Sequence, residues 1–215
     1  MPRRRSAATS KPKESSRVTP ALRAGNAANH LTRVRTSPRK LRLCAKLLSV
    51  RVLGIDCGTE YTGFGIVEQS SAGELQCVDV GAIRLSKSEP LPTRLATIFQ
   101  RLSELIAQHR PDEVAIEDVF YAVNAKSALK LGQVRGVAML AAAAAGLQVF
   151  EYAPLTIKSA VVGYGRAEKA QVQHMVTRLL QLDAVPEPAD AADALAIAIC
   201  HLHTSATLTR HATAR

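Results

Sequence analysis

The chain has 215 residues, of which 47% are hydrophobic, enough for one full core and a tail. Its longest apolar stretch, 137–149, has the length of an ordinary buried helix, which excludes a transmembrane segment there. The formal net charge of +10 at pH 7 is typical of nucleic-acid-binding proteins.

The positive charge is concentrated at the start of the chain. Residues 1–50 hold thirteen Lys and Arg against a single Glu, so the rest of the chain sums to about −2. The net charge therefore describes this leader and does not by itself make the following domain a nucleic-acid binder.

Residues 1–49 are predicted to form a basic, disordered extension, and three interpretations stay open. The Arg- and Ser-rich, acid-poor composition resembles an organellar transit peptide. It is equally typical of a basic arm that binds phosphates without sequence preference. The third interpretation, which we favour, places the true translation start near Val50, because the leader shows no hydrophobic periodicity.

The four cysteines are interpreted as buried apolar residues of a protein in a reducing compartment, so we expect a cytoplasmic location. None of them has a CxxC spacing, which argues against a zinc site and a disulfide framework. They are Cys44, Cys57, Cys77 and Cys200.

The regular part of the chain begins with three predicted strands. The apolar run Val50–Asp56 predicts a buried central strand. Glycines at 58, 63 and 65 punctuate a turn into a second strand, 62–68, and residues 70–74 predict a hairpin turn into a third. We expect these three strands to be antiparallel.

Helices and strands then alternate. A helix is predicted from Pro92, a strand at 113–117, a helix at 125–145 and a strand at 147–152. Three helices follow: a short one from 154, an amphipathic one around 172–180 and a last one from about 189 to 203. Residues 205–215 are expected to fray. This order predicts an α/β fold, a mixed five-stranded sheet flanked by α-helices, as a single domain over 50–204.

Four carboxylates stand at the ends of these elements. Asp56 and Glu117 each end an apolar strand, and Asp190 and Asp193 lie three residues apart in the first turn of the last helix. Taken singly, each has an ordinary interpretation as a helix cap, a strand-end hydrogen-bonding group or an ion-pair partner. A mixed sheet, however, can bring all four together.

A cluster of buried carboxylates is costly unless a positive group meets it, and the usual partner is a hard divalent cation. Two Mg²⁺ or Mn²⁺ ions could activate a water and stabilise a leaving oxygen at phosphorus. The sequence thus predicts metal-dependent phosphodiester cleavage. His174, His201 and His203 lie on predicted helices and are interpreted as surface or packing residues.

The chain also resembles the RuvC family of crossover junction endodeoxyribonucleases over about residues 51–203. The motifs that carry the resemblance are Gly54-Ile-Asp56-Cys-Gly58, Ala115-Ile-Glu117-Asp-Val-Phe120, Asn124 to Gln133 with Arg135-Gly136, Val161-Val-Gly163, Ala167-Glu-Lys169, Gln173-His-Met175 and Ala189-Asp-Ala-Ala-Asp193. So many consecutive matches are highly specific.

The resemblance implies an RNase H-like fold and a homodimer that resolves Holliday junctions in recombination and DNA repair. Each subunit would nick one of two opposite, like-oriented strands, leaving 5′-phosphate and 3′-hydroxyl ends. The four carboxylates would be catalytic and would bind Mg²⁺, two ions per subunit in the family's pattern, with Mn²⁺ as a substitute. The implied partners are four-way junction DNA and the branch-migration proteins RuvA and RuvB.

The resemblance also implies that Phe120 stacks on an unpaired base and that Lys158 and Lys169 contact phosphates near the scissile bond. Further DNA contacts are expected from the neighbouring polar and aromatic residues Tyr121, Asn124, Lys126 and Arg135.

One departure from the family concerns Cys57, which stands where a proline usually follows the first aspartate. Three rival interpretations stay open beside the nuclease. The segment Gly54–Thr59 resembles the first phosphate loop of actin-like ATPases, although the chain is short for their two domains. The others are a non-catalytic junction-binding module and a different RNase H-like nuclease.

Overall fold

The computed structural model describes residues 49–118 and 125–213, with side chains as far as residue 206. Its centre is one five-stranded sheet in the order β3-β2-β1-β4-β5. The strands are β1 (Val50–Asp56), β2 (Tyr61–Gln69), β3 (Leu75–Arg84), β4 (Glu113–Glu117) and β5 (Gln148–Tyr152). β1 pairs antiparallel with β2 and parallel with β4, which pairs parallel with β5. The predicted mixed sheet is confirmed.

Helices cover both faces of this sheet. They are α1 (Leu91–His109), α2 (Ala125–Ala144), α3 (Pro154–Val162), α4 (Lys169–Leu179) and α5 (Ala189–Thr213). The alternation of side chains along β1 separates two cores, because successive residues of a strand point to opposite faces. Val52 packs with α3, α4 and α5, whereas Leu53 packs with α1 and α2. The apolar sequence of β1 is thus explained by burial on both faces.

Local signals place most of the helix ends where the sequence predicted them. α3 begins at Pro154 and is closed by Gly163 at φ 96°, a left-handed conformation that glycine adopts without strain. α4 begins at a capping box in which Glu168 and Gln171 each satisfy the other's backbone N–H. Among the described residues, no helix is long and apolar enough to cross a membrane.

The last helix is longer than predicted. α5 continues to Thr213, whereas the sequence predicted its end near His203 and a frayed tail from 205. No Gly or Pro lies between 204 and 213 to stop it. The hydroxyl of Thr204 donates to the carbonyl oxygen of Cys200 at 2.8 Å, so this polar residue is accommodated inside the helix rather than ending it.

α5 lies directly on β1 and β2 because glycines leave room for its backbone. A Cβ atom on Gly54 would lie 2.1 Å from the carbonyl oxygen of Ala194, and one on Gly63 would lie 2.0 Å from that of Asp190. Both distances are far below van der Waals contact. The first turns of α5 can therefore reach the end of β1 only while these two positions carry no side chain.

We predict that Gly54→Ala destabilises the protein by at least about 2–3 kcal/mol, because its obstacle is backbone that cannot rotate away. Gly81→Ala is the matched control: its Cβ would meet the Phe64 ring at 2.9 Å, and a ring can turn. The control should cost about 1 kcal/mol or less in urea denaturation. Equal losses in the two variants would contradict this account of the packing.

Candidate active site

The strand-end carboxylates lie side by side. β1 and β4 run parallel with Ile55 opposite Ile116, so the next residue of each strand, Asp56 and Glu117, leaves the sheet at the same edge. Asp56 is also paired with Gly63 across the β1–β2 ladder. α5 packs against Gly63. Since Gly63 lies beside Asp56 in the ladder, the start of α5 also lies beside Asp56.

The first turn of α5 brings the other two carboxylates to this edge. The Oδ1 atom of Asp190 lies 3.6 Å from the position of a Cβ on Gly58, in the loop after Asp56. The Oδ2 atom of Asp193 lies 2.5 Å from the Nζ atom of Lys169, which begins α4. The four carboxylates predicted from the sequence are therefore brought together by three separate elements.

The electrostatics show that the four groups form one cluster. Burial, followed by the negative charges of Asp193, Glu117 and Asp190, raises the pKa of Asp56 from 3.8 to about 7. Burial and the charge of Asp193 also raise the pKa of Glu117, although two lysines oppose this rise. A carboxyl group with such a pKa is held in an environment that favours an added positive charge.

Those two lysines line a cleft of about 170 Å³ beside the cluster. Lys158 comes from α3 and Lys169 from α4, and both lower the pKa of Glu117. The cleft is lined by these lysines, by two of the carboxylates (Glu117 and Asp193), and by the apolar residues Pro154, Ile157, Val172, Ala196 and Ile197. Of the described cations, Arg51 lies at the opposite end of β1, where it pairs with Glu68.

The donor set of the cluster fits a hard divalent cation. Its groups are carboxylates, the ligands that Mg²⁺ and Mn²⁺ prefer, and their mutual repulsion is what such an ion relieves. Among the described residues, no three His, Cys, Asp or Glu side chains already converge on one point as a ligand cage. The carboxylates thus share one electrostatic environment, and rotation of their side chains would be needed to complete a coordination sphere.

Cys57 belongs to the core rather than to this donor set. Its side chain is buried, and burial together with the charge of Asp56 raises the pKa of the thiol to about 12. It is therefore a neutral thiol at physiological pH, and a protonated thiol is a poor metal ligand. Cys57, Cys77 and Cys200 are free cysteines, while Cys44 lies outside the described residues.

Some of the residues expected to contact DNA lie outside the described residues, and the others differ in their exposure. Phe120, Tyr121 and Asn124 lie outside the described residues. Lys126 is exposed near the start of α2, whereas Arg135 on the same helix has a side chain only 19% exposed and forms an ion pair with Glu151.

The sequence did not reveal a chain of polar groups, centred on His201, that joins α5 to β4 and β5. The His201 ring bonds through Nδ1 to the Tyr152 hydroxyl at 2.8 Å and through Nε2 to Glu113 at 2.7 Å. His201 is 1% exposed, so its prediction as a packing residue holds, whereas His174 is exposed. A histidine within the apolar run of the last helix was the available signal, because a buried imidazole requires partners.

The raised pKa of Asp56 gives a prediction about stability. In the unfolded chain this carboxyl ionises near pH 3.8, but in the folded protein it ionises near pH 7. Between these values the folded state binds the extra proton, so stability falls as pH rises and the penalty is complete above pH 7. At about 1.4 kcal/mol for each pKa unit, the penalty is at most about 4 kcal/mol.

We therefore expect Asp56→Asn to be more stable than the wild type at pH 8 in a chelator, with a difference that vanishes towards pH 4. Urea denaturation at the two pH values measures it. Glu74→Gln, in the exposed turn after β2, should change nothing at either pH. A variant less stable than the wild type at pH 8 would show that Asp56 is held by favourable contacts instead.

The family model for the crossover junction endodeoxyribonuclease RuvC matches residues 52–201. A curated relative, the crossover junction endodeoxyribonuclease RuvC of Koribacter versatilis, is 70% identical over 161 residues, covering 75% of this chain and 97% of the relative. The corresponding protein of Acidobacterium capsulatum is 59% identical over 165 residues, covering 74% of this chain and 96% of that relative.

Solved structures agree with these matches. Thermus thermophilus RuvC superposes with a TM-score of 0.68 at 34% identity, covering 74% of this chain and 96% of that one. T. thermophilus RuvC in complex with a Holliday junction substrate gives a TM-score of 0.68 at 32% identity, with the same coverage. The yeast mitochondrial Holliday junction resolvase Ydc2, at 15% identity and a TM-score of 0.59, shares the fold. The chain therefore belongs to the RuvC family of crossover junction endodeoxyribonucleases.

Proposed function

We propose that the protein resolves Holliday junctions by symmetric, metal-dependent nicking of two opposite, like-oriented strands, in DNA recombination and repair in the cytoplasm. The single observation that carries this proposal is the cluster of four carboxylates, in which burial and mutual repulsion raise the pKa of Asp56 to about 7. Such a cluster beside two lysines is suited to a phosphodiester and two cations. Membership of the RuvC family supports the choice of substrate.

Divalent cations, which we expect to be two Mg²⁺ replaceable by Mn²⁺, would be held by Asp56, Glu117, Asp190 and Asp193 and would supply an activated water and charge stabilisation at the leaving 3′ oxygen. The protein's own contribution is to hold the four carboxylates in position. β1 and β4 fix two carboxylates at adjacent strand ends, and α5 fixes the other two one helical turn apart. The products would carry a 5′-phosphate and a 3′-hydroxyl.

The two cleft lysines are suited to hold the substrate's phosphates. The side chain of Lys169 is 57% exposed, and Lys158 lines the same cleft from α3. Their ammonium groups can neutralise phosphate oxygens while the carboxylates hold the cations. Lys126, with Phe120, Tyr121 and Asn124 between β4 and α2, would extend the contact towards the crossover.

A second copy of the chain is the partner that the substrate's symmetry requires. A four-way junction has near two-fold symmetry, and a two-fold dimer presents two equivalent sites to it. The outward face of α2 suits such an interface, because Leu129 is 70% and Leu140 58% exposed. Between them, a Cβ on Gly132 or Gly136 would meet no atom within 4 Å. Partner proteins RuvA and RuvB would deliver the junction during branch migration.

We predict paired nicks in a labelled synthetic four-way junction with Mg²⁺ and no cleavage of a linear duplex of the same sequence. Asp56→Asn should retain junction binding but lose at least about 10³-fold in cleavage rate, because it removes a cation ligand and not a DNA contact. Gel-shift and strand-cleavage assays measure the two properties. Glu74→Gln, a matched carboxyl-to-amide change on the surface, should cleave at the wild-type rate.

Two results would contradict the proposal. A folded wild-type protein that binds the junction without cutting it would be a junction-binding module. Loss of junction binding in Asp56→Asn would show that the carboxylate cluster recognises DNA directly rather than through cations.

The proposed dimer has its own test. Leu140→Glu places a charge on the outward face of α2 and should lower the dimer's stability enough to give monomers at micromolar concentration in sedimentation velocity. Leu155→Glu is the matched control, since Leu155 is 63% exposed on α3. A dimer that survives Leu140→Glu but not Leu155→Glu would move the interface to α3.

A further inference from the structure

We propose that Arg135 is a positioning residue: it fixes the end of β4, and with it the carboxylate Glu117, instead of contacting DNA. The proposal rests on the proposed nuclease function for its catalytic consequence. It concerns a residue that lies behind the carboxylate cluster, on the inward side of α2.

Arg135 reaches across from α2 to the ends of two strands. Its Nε atom donates to the backbone carbonyl oxygen of Glu117 at 3.3 Å. One terminal nitrogen forms ion pairs with Glu151 on β5 and, at 3.4 Å, with Asp118. A planar guanidinium can serve several acceptors from one fixed geometry, which a lysine ammonium cannot reproduce. One side chain therefore ties α2, β4 and β5 together.

These contacts surround the point at which β4 ends. The backbone N–H of Asp118 donates to the carbonyl oxygen of Tyr152 at 2.8 Å, which extends the pairing of β4 with β5 by one residue. Arg135 holds the same two residues, Glu117 and Asp118, from the helix side. The backbone that carries the Glu117 carboxylate is thus restrained from both directions. Displacement of a catalytic group by about 1 Å can cost about 10²-fold in rate.

A DNA contact would require Arg135 to leave its present partners. Its side chain is 19% exposed, and breaking a partly buried ion pair leaves carboxylates without their cation. Lys126 on the same helix is exposed. On α2, Arg135 is therefore an inward cation that supports the site, whereas Lys126 is an outward cation that is available to phosphates.

The test compares Arg135→Gln with Lys126→Gln in the full-length protein. For Arg135→Gln we expect junction affinity within about threefold of wild type, an unchanged salt dependence of binding, and a cleavage rate at saturating junction lower by about 10²-fold. Mg²⁺ affinity, measured by calorimetry without DNA, should fall by about tenfold. Lys126→Gln should reduce the slope of log affinity against log salt by about 1.

A double-mutant comparison of the ion-pair partners tests whether Arg135 acts through its contact with Glu151. Glu151→Gln should reproduce part of the loss in rate and Mg²⁺ affinity, and the double variant should be no slower than Arg135→Gln alone, because both changes remove the same contact. Arg135→Lys should recover part of the rate. If Arg135→Gln fails to fold, which circular dichroism reports, Arg135→Lys and Glu151→Gln carry the test.

A lower salt slope with an unchanged rate at saturation in Arg135→Gln would make Arg135 a phosphate contact and overturn the proposal. Wild-type rate and Mg²⁺ affinity in Arg135→Gln would overturn it too. A wild-type protein that does not cut the junction would refute the proposed function instead, and the Mg²⁺ affinities would still decide the role of Arg135.

Discussion

The contact between the backbone of α5 and the backbone of β1 and β2 is the constraint on which the site depends. Helices usually rest on a sheet through a layer of side chains. Here Gly54 and Gly63 remove that layer, and carbonyl oxygens of α5 occupy the space a Cβ would fill. This proximity brings Asp190 and Asp193 to the strand ends that carry Asp56 and Glu117.

Close packing has an electrostatic cost that explains the behaviour of the whole cluster. Four carboxylates held by three elements cannot separate to relieve their repulsion, and the pKa of Asp56 rises accordingly. Positive groups lie around the four carboxylates in two places. Lys158 and Lys169 face the cleft, and Arg135 lies behind the strand ends. The scaffold therefore sustains a charge imbalance that cations and a phosphodiester are suited to neutralise.

The sequence predicted the sheet, the order of its elements and the four carboxylates, because these are recorded in local patterns. Apolar runs define β1 and β4, and Gly163 marks the end of α3. It did not predict contacts between residues distant in the chain. His201 bonds to Tyr152, 49 positions away, and to Glu113, 88 positions away, and no local pattern records such a pairing. The low exposure of Arg135 was unpredictable for a similar reason, because the exposure of one helix face depends on what packs against it.

The polar chain through His201 also determines how α5 is turned about its own axis. The Tyr152 hydroxyl bonds to Nδ1 of His201 at 2.8 Å, and Glu113 bonds to Nε2 at 2.7 Å, so the imidazole is held through both of its nitrogens. A helix rotates by about 100° per residue, so a shift of one residue would pull the imidazole from both partners. Some 12 Å along the helix, the same rotation would swing Asp193 out of the cluster. The two bonds of the imidazole therefore fix the rotation of α5 about its axis, and this rotation places the carboxylates of the helix in the cluster.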